Sequence, residues 1–172
     1  GPYGGSDAAP DGSLWTPVVP GDDVVLELFT PENAAFAPEL VISQVSHDYR
    51  GFGSLPAEKQ GSCNIDVICP EGDDWRREIR SVATYTTGGS RICTGTLLNS
   101  HDAERPPFFL TADHCNVSAS NAAAMVFYWN FESPVCGQLA NGSLADNQVG
   151  ATLLSDNAAS DFCLVRLNHT PD

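Results

Sequence analysis

Short runs of apolar and β-branched residues, closed by Gly, Pro, Asn or Asp, recur along most of this chain. Runs of this length and composition are typical of β-strands rather than helices. Two segments between these runs predict helical structure instead: one or two turns of helix at 74–80 and a single tight turn at 112–115. The pattern predicts an all-β fold, a Greek-key barrel or sandwich. Its strands are predicted at 63–69, 81–85, 92–99, 108–111, 124–131, 151–154 and 162–167.

The N-terminal third differs from the rest of the chain in composition. Residues 1–13 are rich in Gly, Pro and Asp and predict a loop, whereas 24–29 and 40–45 predict two strands. Because a lone hairpin is marginal in water, we expect these strands to pack on the following domain or on an upstream part of their own sheet. The chain is therefore expected to divide into three parts. These are a partial β module or pro-region at 1–55, a linker at 56–62, and a barrel domain at 63–172.

Size and charge exclude several classes of partner. The 172 residues allow one ordinary domain, or a small domain preceded by part of another. There are 8 Lys and Arg against 22 Asp and Glu, which gives a formal charge of −14. A surface this acidic does not neutralise phosphates, so we expect neither nucleic acid nor a membrane as a partner. The acidic residues are spread along the chain, as in a well-solvated surface.

The cysteines indicate an oxidising compartment. There are six, with no Cys-x-x-Cys pair and no matching His spacing, which favours disulfides over a zinc site. We expect an exported protein with no metal or cofactor. Yet the chain begins with Gly-Pro-Tyr, without an initiator Met or a signal-peptide stretch. Its first residue is therefore not expected to be the start of the gene.

The segment with the strongest chemical signal is 108–115, an apolar strand that ends in Thr-Ala-Asp-His-Cys. A histidine just past a buried strand, next to a cysteine, can be held in one orientation, as a general base requires. Another apolar strand begins 47 positions later, with Asp161 at its head. A carboxylate there could accept the Nδ1 proton of His114 and fix the tautomer of its ring.

Together with the strand Cys-Thr-Gly-Thr-Leu-Leu-Asn at 93–99, this His-then-Asp order resembles the trypsin-like serine peptidases of the chymotrypsin fold. Segments 61–73, 128–131 and 160–162 are similar to the bacterial lysyl endopeptidase branch. The resemblance spans about 61–169, the first of that fold's two barrels. It implies an endopeptidase of protein or peptide substrates, with His114 as base and then acid and Asp161 orienting it. We expect the secreted protein to be a monomer.

In that family the nucleophilic serine lies in a Gly-Asp-Ser-Gly or Gly-Ser-Ser-Gly turn of the second barrel. This sequence contains no such turn, so we expect an N-terminal fragment that is inert by itself. A non-catalytic homologue, acting as a binding or structural module, is the alternative. A β-rich adhesion or matrix domain would explain the cysteines but not the placement of His114 and Asp161. The preference for lysine is family analogy only.

The resemblance also implies how the cysteines pair. Cys93 is expected to bond Cys115, and Cys69 to bond Cys136. Cys63 matches the family cysteine that bridges to the second barrel. Cys163 has no counterpart, so we expect a buried free thiol, with a Cys63–Cys163 bridge as the competing possibility.

The last candidate is a processing site at Lys59 and Gln60, just ahead of the segment that carries the resemblance. Exposed polar linkers are preferred sites of cleavage. We hypothesise that residues 1–59 are a pro-region removed there by the enzyme itself or by a relative. The alternative is an ordinary exposed linker.

Overall fold

The computed structural model describes residues 2–9, 12–47, 64–89, 91–138 and 142–171. Its regular elements all follow residue 69, apart from a single 3-10 turn at Gly5–Asp7. A 3-10 helix, Pro70–Trp75, leads into one short α-helix, α1, at Arg76–Ile79. Seven strands then follow within the described residues. They are β1 Val82–Thr87, β2 Arg91–Leu98, β3 Phe108–Thr111, β4 Met125–Trp129, β5 Asn147–Val149, β6 Ala151–Asn157 and β7 Phe162–Leu167.

The strands form one antiparallel sheet in the order β5-β4-β1-β2-β3-β7-β6. The two edge strands, β5 and β6, are separated in sequence only by Gly150. The N–H of Gly150 donates to the carbonyl of Met125 (2.8 Å), and its carbonyl accepts from the N–H of Asn168 (3.1 Å). Both edges of the sheet thus meet at one residue, and the sheet curls into a barrel. The predicted all-β class is confirmed.

Glycine is required at position 150 for two reasons. Its φ of +91° lies in a region that other residues rarely adopt, and an added Cβ would come within 2.3 Å of the Asn168 side-chain nitrogen. The chain can therefore bend sharply between β5 and β6 while its backbone stays bonded to both neighbours. Because of this bend, the continuous segment 147–157 forms both edge strands of the sheet, β5 before Gly150 and β6 after it.

The interior is built on four aromatic side chains from three strands, Tyr85, Phe109, Phe127 and Trp129. Each is at most 3% exposed. The Phe109 ring meets the other three edge-on, with centroids 5.0 to 5.9 Å apart. Edge-to-face contacts of this kind are favourable beyond the area they bury. Phe109 therefore lies at the centre of the core, on the strand that leads to His114.

Strand β4 is buried along its whole length rather than on alternate residues. Tyr128, which points away from the core ring cluster, is still fully buried. Its hydroxyl accepts a hydrogen bond from the N–H of Val18 (3.1 Å). The N-terminal segment therefore covers the outer face of the barrel at this strand.

Three predicted strands are wrong: 24–29, 40–45 and the described part of 63–69 contain no strand. In the first two, apolar side chains remain in solvent; Val25 is 91% and Phe29 is 85% exposed. A strand needs a neighbour for its backbone hydrogen bonds, and neither segment is paired with a strand of the sheet. The division at 55 and 62 stays a prediction.

The two helical predictions are confirmed. The signal at 74–80 corresponds to the end of Pro70–Trp75 and to α1, and the tight turn at 112–115 is a 3-10 helix over Asp113–Cys115. Arg76 stabilises the first of them by donating to the carbonyl of Val67 (2.8 Å) and to the carboxylate of Asp73 (2.7 Å).

Candidate active site

The turn that carries His114 begins where β3 ends. Thr111 is the last residue of β3, and Ala112 is still extended, with φ −89° and ψ 145°. Asp113–Cys115 then forms a single 3-10 turn. Cys115 is 3% exposed and is bonded to Cys93 of β2. The disulfide therefore ties the far end of the histidine turn to the neighbouring strand.

Asp161 is brought beside this turn by β7. The register of β3 and β7 pairs Thr111 with Cys163, so the residues just outside each strand end are neighbours in space. Asp161 ends the tight loop between β6 and β7 with φ +50°, a left-handed conformation that Asp tolerates better than most residues. Asn157 supports the loop because its side-chain oxygen accepts from both the N–H and the hydroxyl of Ser160, each at 3.0 Å.

The carboxylate of Asp161 contacts His114 through both of its oxygens. Oδ2 lies 2.7 Å from the imidazole Nδ1, and Oδ1 accepts from the backbone N–H of His114 at 2.9 Å. The backbone N–H of His114 first, and its imidazole second, hold the pKa of the Asp161 carboxyl below its ordinary value. An ionised carboxylate on Nδ1 keeps the proton there and leaves the lone pair on Nε2.

Both side chains are open to solvent: that of His114 is 72% exposed and that of Asp161 is 52% exposed. Within the described ranges, no hydroxyl or thiol is hydrogen-bonded to the imidazole ring of His114. The pair can therefore accept a proton at Nε2 from a group that approaches the barrel rim from outside. On its own it provides a base and no nucleophile.

The disulfides among the described residues are Cys69–Cys136 and Cys93–Cys115, the two pairs that the resemblance implies. Cys163 is a free, fully buried thiol among the described residues. Burial, with smaller contributions from the carboxylates of Asp156 and Asp113, raises the pKa of this thiol to about 11. Three of the predicted site residues, Cys63, Lys59 and Gln60, lie outside the described residues.

Sequence reasoning missed the asparagines that hold the two turns, Asn116 after His114 and Asn157 before Asp161. Asn116 has φ +56° and closes the histidine turn. A signal for it was present, because asparagine is the non-glycine residue most often found in left-handed caps. No comparable signal marked Asn157, whose role depends on the length of the loop that follows it.

The described part of the chain holds no group of three or more His, Cys, Asp or Glu side chains that could bind a metal ion. Nor does any helix there have the length and apolar character needed to cross a membrane.

Comparison with known proteins gives a consistent result. Residues 57–172 match the family model described as lysyl endopeptidase, C-terminal domain. The chain is also 31% identical, over 188 aligned residues, to a lysyl endopeptidase from Pseudomonas aeruginosa. That alignment covers 97% of this chain and 40% of the relative, so the chain spans about two fifths of the relative's length. On these matches, the chain belongs to the lysyl endopeptidase family.

Proposed function

We propose that this chain is the N-terminal part of a serine endopeptidase, in which His114 and Asp161 are two members of the catalytic triad. The nucleophilic serine would come from a second barrel outside this sequence. The observation that carries the proposal is the two-oxygen contact of Asp161 with the imidazole and the backbone N–H of His114. That contact fixes the ring and leaves Nε2 directed away from the carboxylate, as a base must be.

In the proposed reaction, the serine Oγ attacks the peptide carbonyl while Nε2 of His114 takes its proton. The ionised Asp161 stabilises the imidazolium that forms. His114 then gives the proton to the departing amine, and a water molecule hydrolyses the acyl-enzyme by the same route. The open rim around both side chains supports this assignment, because the serine and the substrate must approach Nε2 from outside this barrel.

Two further assignments accompany the proposal. Two disulfides favour a secreted protein, since such bonds form and persist in oxidising compartments. The name of the Pseudomonas aeruginosa relative, lysyl endopeptidase, leads us to propose cleavage beside lysine. Protein or peptide would be the substrate.

The direct test uses the full-length protein and a fluorophosphonate that reacts with activated serines. We expect one covalent adduct per molecule and a parallel loss of hydrolysis of a lysine-containing peptide, because only a serine paired with a base attacks phosphorus readily. The His114→Ala variant is the control and should not be labelled. A correctly folded wild-type protein that is neither labelled nor active would support the non-catalytic alternative.

We further propose that residues 1–59 are a pro-region, cleaved after Lys59. The support is that residues 12–47 add no strand to the sheet and leave large apolar side chains exposed. N-terminal sequencing of the secreted protein should then begin at Gln60, and Lys59→Ala should block that cleavage. Recovery of wild-type protein with an intact 59–60 junction would contradict the proposal.

A further inference from the structure

The turn that carries His114 contains only three residues, so it depends on neighbours for its conformation. On one side, Asp161 accepts from the backbone N–H of His114. On the other side, the side-chain amide of Asn116 donates to the backbone carbonyl of His114 at 2.7 Å. The polar backbone groups on both sides of the His114 Cα are thus fixed. Fixing both peptide planes sets the direction in which the imidazole leaves the backbone.

Asn116 closes the same turn with its backbone. Its N–H donates to the carbonyl of Asp113 at 2.8 Å, and its φ of +56° and ψ of 42° lie in the left-handed region. This position therefore has two requirements. The residue must tolerate a positive φ, and its side chain must donate to the backbone carbonyl of the residue two positions earlier, His114. Glycine satisfies only the first, and most other residues satisfy neither. Asparagine satisfies both.

Asn116 is itself held in place by Asn121. The side-chain nitrogen of Asn121 donates to the Asn116 carbonyl at 3.0 Å, and its oxygen accepts from the N–H of Ser118 at 2.7 Å. Val117 within the loop between them and Ala122 directly after Asn121 are 6% and 1% exposed and anchor this segment in the core. An exposed turn is thereby connected to the rigid interior through two side-chain amides.

We infer that Asn116 is a positioning residue for the His114–Asp161 pair, holding the imidazole where the carboxylate can contact both its Nδ1 and its backbone N–H. Its effect on catalysis rests on the proposed function. Its effect on the contact between His114 and Asp161 does not, and can be measured without any peptidase activity.

The test compares Asn116→Gly with Asn116→Asp. The glycine variant keeps the left-handed turn and loses only the amide donor. The aspartate variant keeps the shape but turns an acceptor toward the His114 carbonyl, so its effect should be larger. The matched control is Asn147→Ala on β5, which also removes a side-chain amide that donates to the backbone, to the carbonyls of Leu144 at 2.8 Å and Ala145 at 3.2 Å.

The first measurement is the pKa of the Asp161 carboxyl group in the 172-residue chain, read from the NMR chemical shift of its carboxyl carbon as the pH is varied. In the wild type its pKa should lie below the ordinary value because of the two contacts from His114. We expect both Asn116 variants to raise it, since His114 is then held less firmly, and Asn147→Ala to leave it unchanged. A titration that does not move in Asn116→Gly overturns the inference, since that variant is compatible with the local backbone.

The second measurement is peptide hydrolysis by the full-length protein. We expect Asn116→Gly to lower kcat roughly tenfold with KM unchanged, because orientation of the base matters in the transition state and not in substrate binding. An unchanged kcat, in a protein that His114→Ala inactivates, overturns the inference. If His114→Ala stays active, the proposed function fails instead, and the Asp161 titration alone decides the role of Asn116.

Discussion

Replacing Asp161 by Asn in the full-length protein is expected to lower kcat by about 10⁴-fold. An amide at this position can donate to Nδ1, which would place the ring proton on Nε2 and remove the lone pair that receives the serine proton. The geometry should survive, because Asn tolerates the φ of +50° found at this position. Steady-state hydrolysis of a lysine-containing peptide measures the effect.

A matched control comes from the same hairpin. Asp156 is an exposed carboxylate on β6 that does not contact His114, and Asp156→Asn should change kcat by less than about twofold. The double variant His114→Ala with Asp161→Asn should be little worse than His114→Ala alone, because the two residues act as a unit. A loss below tenfold for Asp161→Asn, in protein that melts like the wild type, would refute the assignment of Asp161.

The largest expected effect on stability is that of Phe109→Ala, which should lower the free energy of unfolding by about 3–5 kcal/mol. The Phe109 side chain is fully buried and touches three other aromatic rings. Phe109 packs directly on Gly95, where an added Cβ would lie 2.4 Å from the ring, and this neighbour has no side chain that could fill the gap. Urea unfolding of the 172-residue chain, followed by tryptophan fluorescence, measures the change.

Phe108→Ala is the comparison for this variant. Phe108 precedes Phe109 on β3 and is only half-buried, so its loss should cost about 1 kcal/mol. Because alternate residues of a strand face opposite sides, the pair separates core packing from strand propensity. Equal losses for the two variants would show that the aromatic cluster around Phe109 does not dominate the stability of the barrel.

The candidate site could be predicted from the sequence because its signals are local. The strand at 108–111 and the turn after it stand within eight residues, and Asp161 directly precedes another strand. What the sequence could not supply was the register that pairs Thr111 with Cys163 and so brings the two side chains together. The disulfide pairs were likewise implied by family resemblance, because spacing alone leaves many connectivities open.

The errors have a physical cause in strand pairing. Residues 24–29 and 40–45 have strand composition, but composition does not tell whether a neighbouring strand is available. Conversely, β5 was missed because Asn147 and Gln148 are polar, and its existence depends on pairing with β4. The role of Asn157 was invisible for a similar reason, since it requires the loop at 158–161 to fold back on it.

The buried thiol of Cys163 has a consequence for how this protein matures. In an oxidising compartment, a cysteine outside the native bridges competes for partners until its strand is packed, because a thiol exchanges with disulfides only while it is accessible and ionised. Once β7 is packed between β3 and β6, its complete burial and a pKa of about 11 remove it from that competition. Correct oxidation should therefore depend on timing: if the oxidant acts before β7 docks, mispaired isomers accumulate, and a slower oxidant raises the yield of native protein.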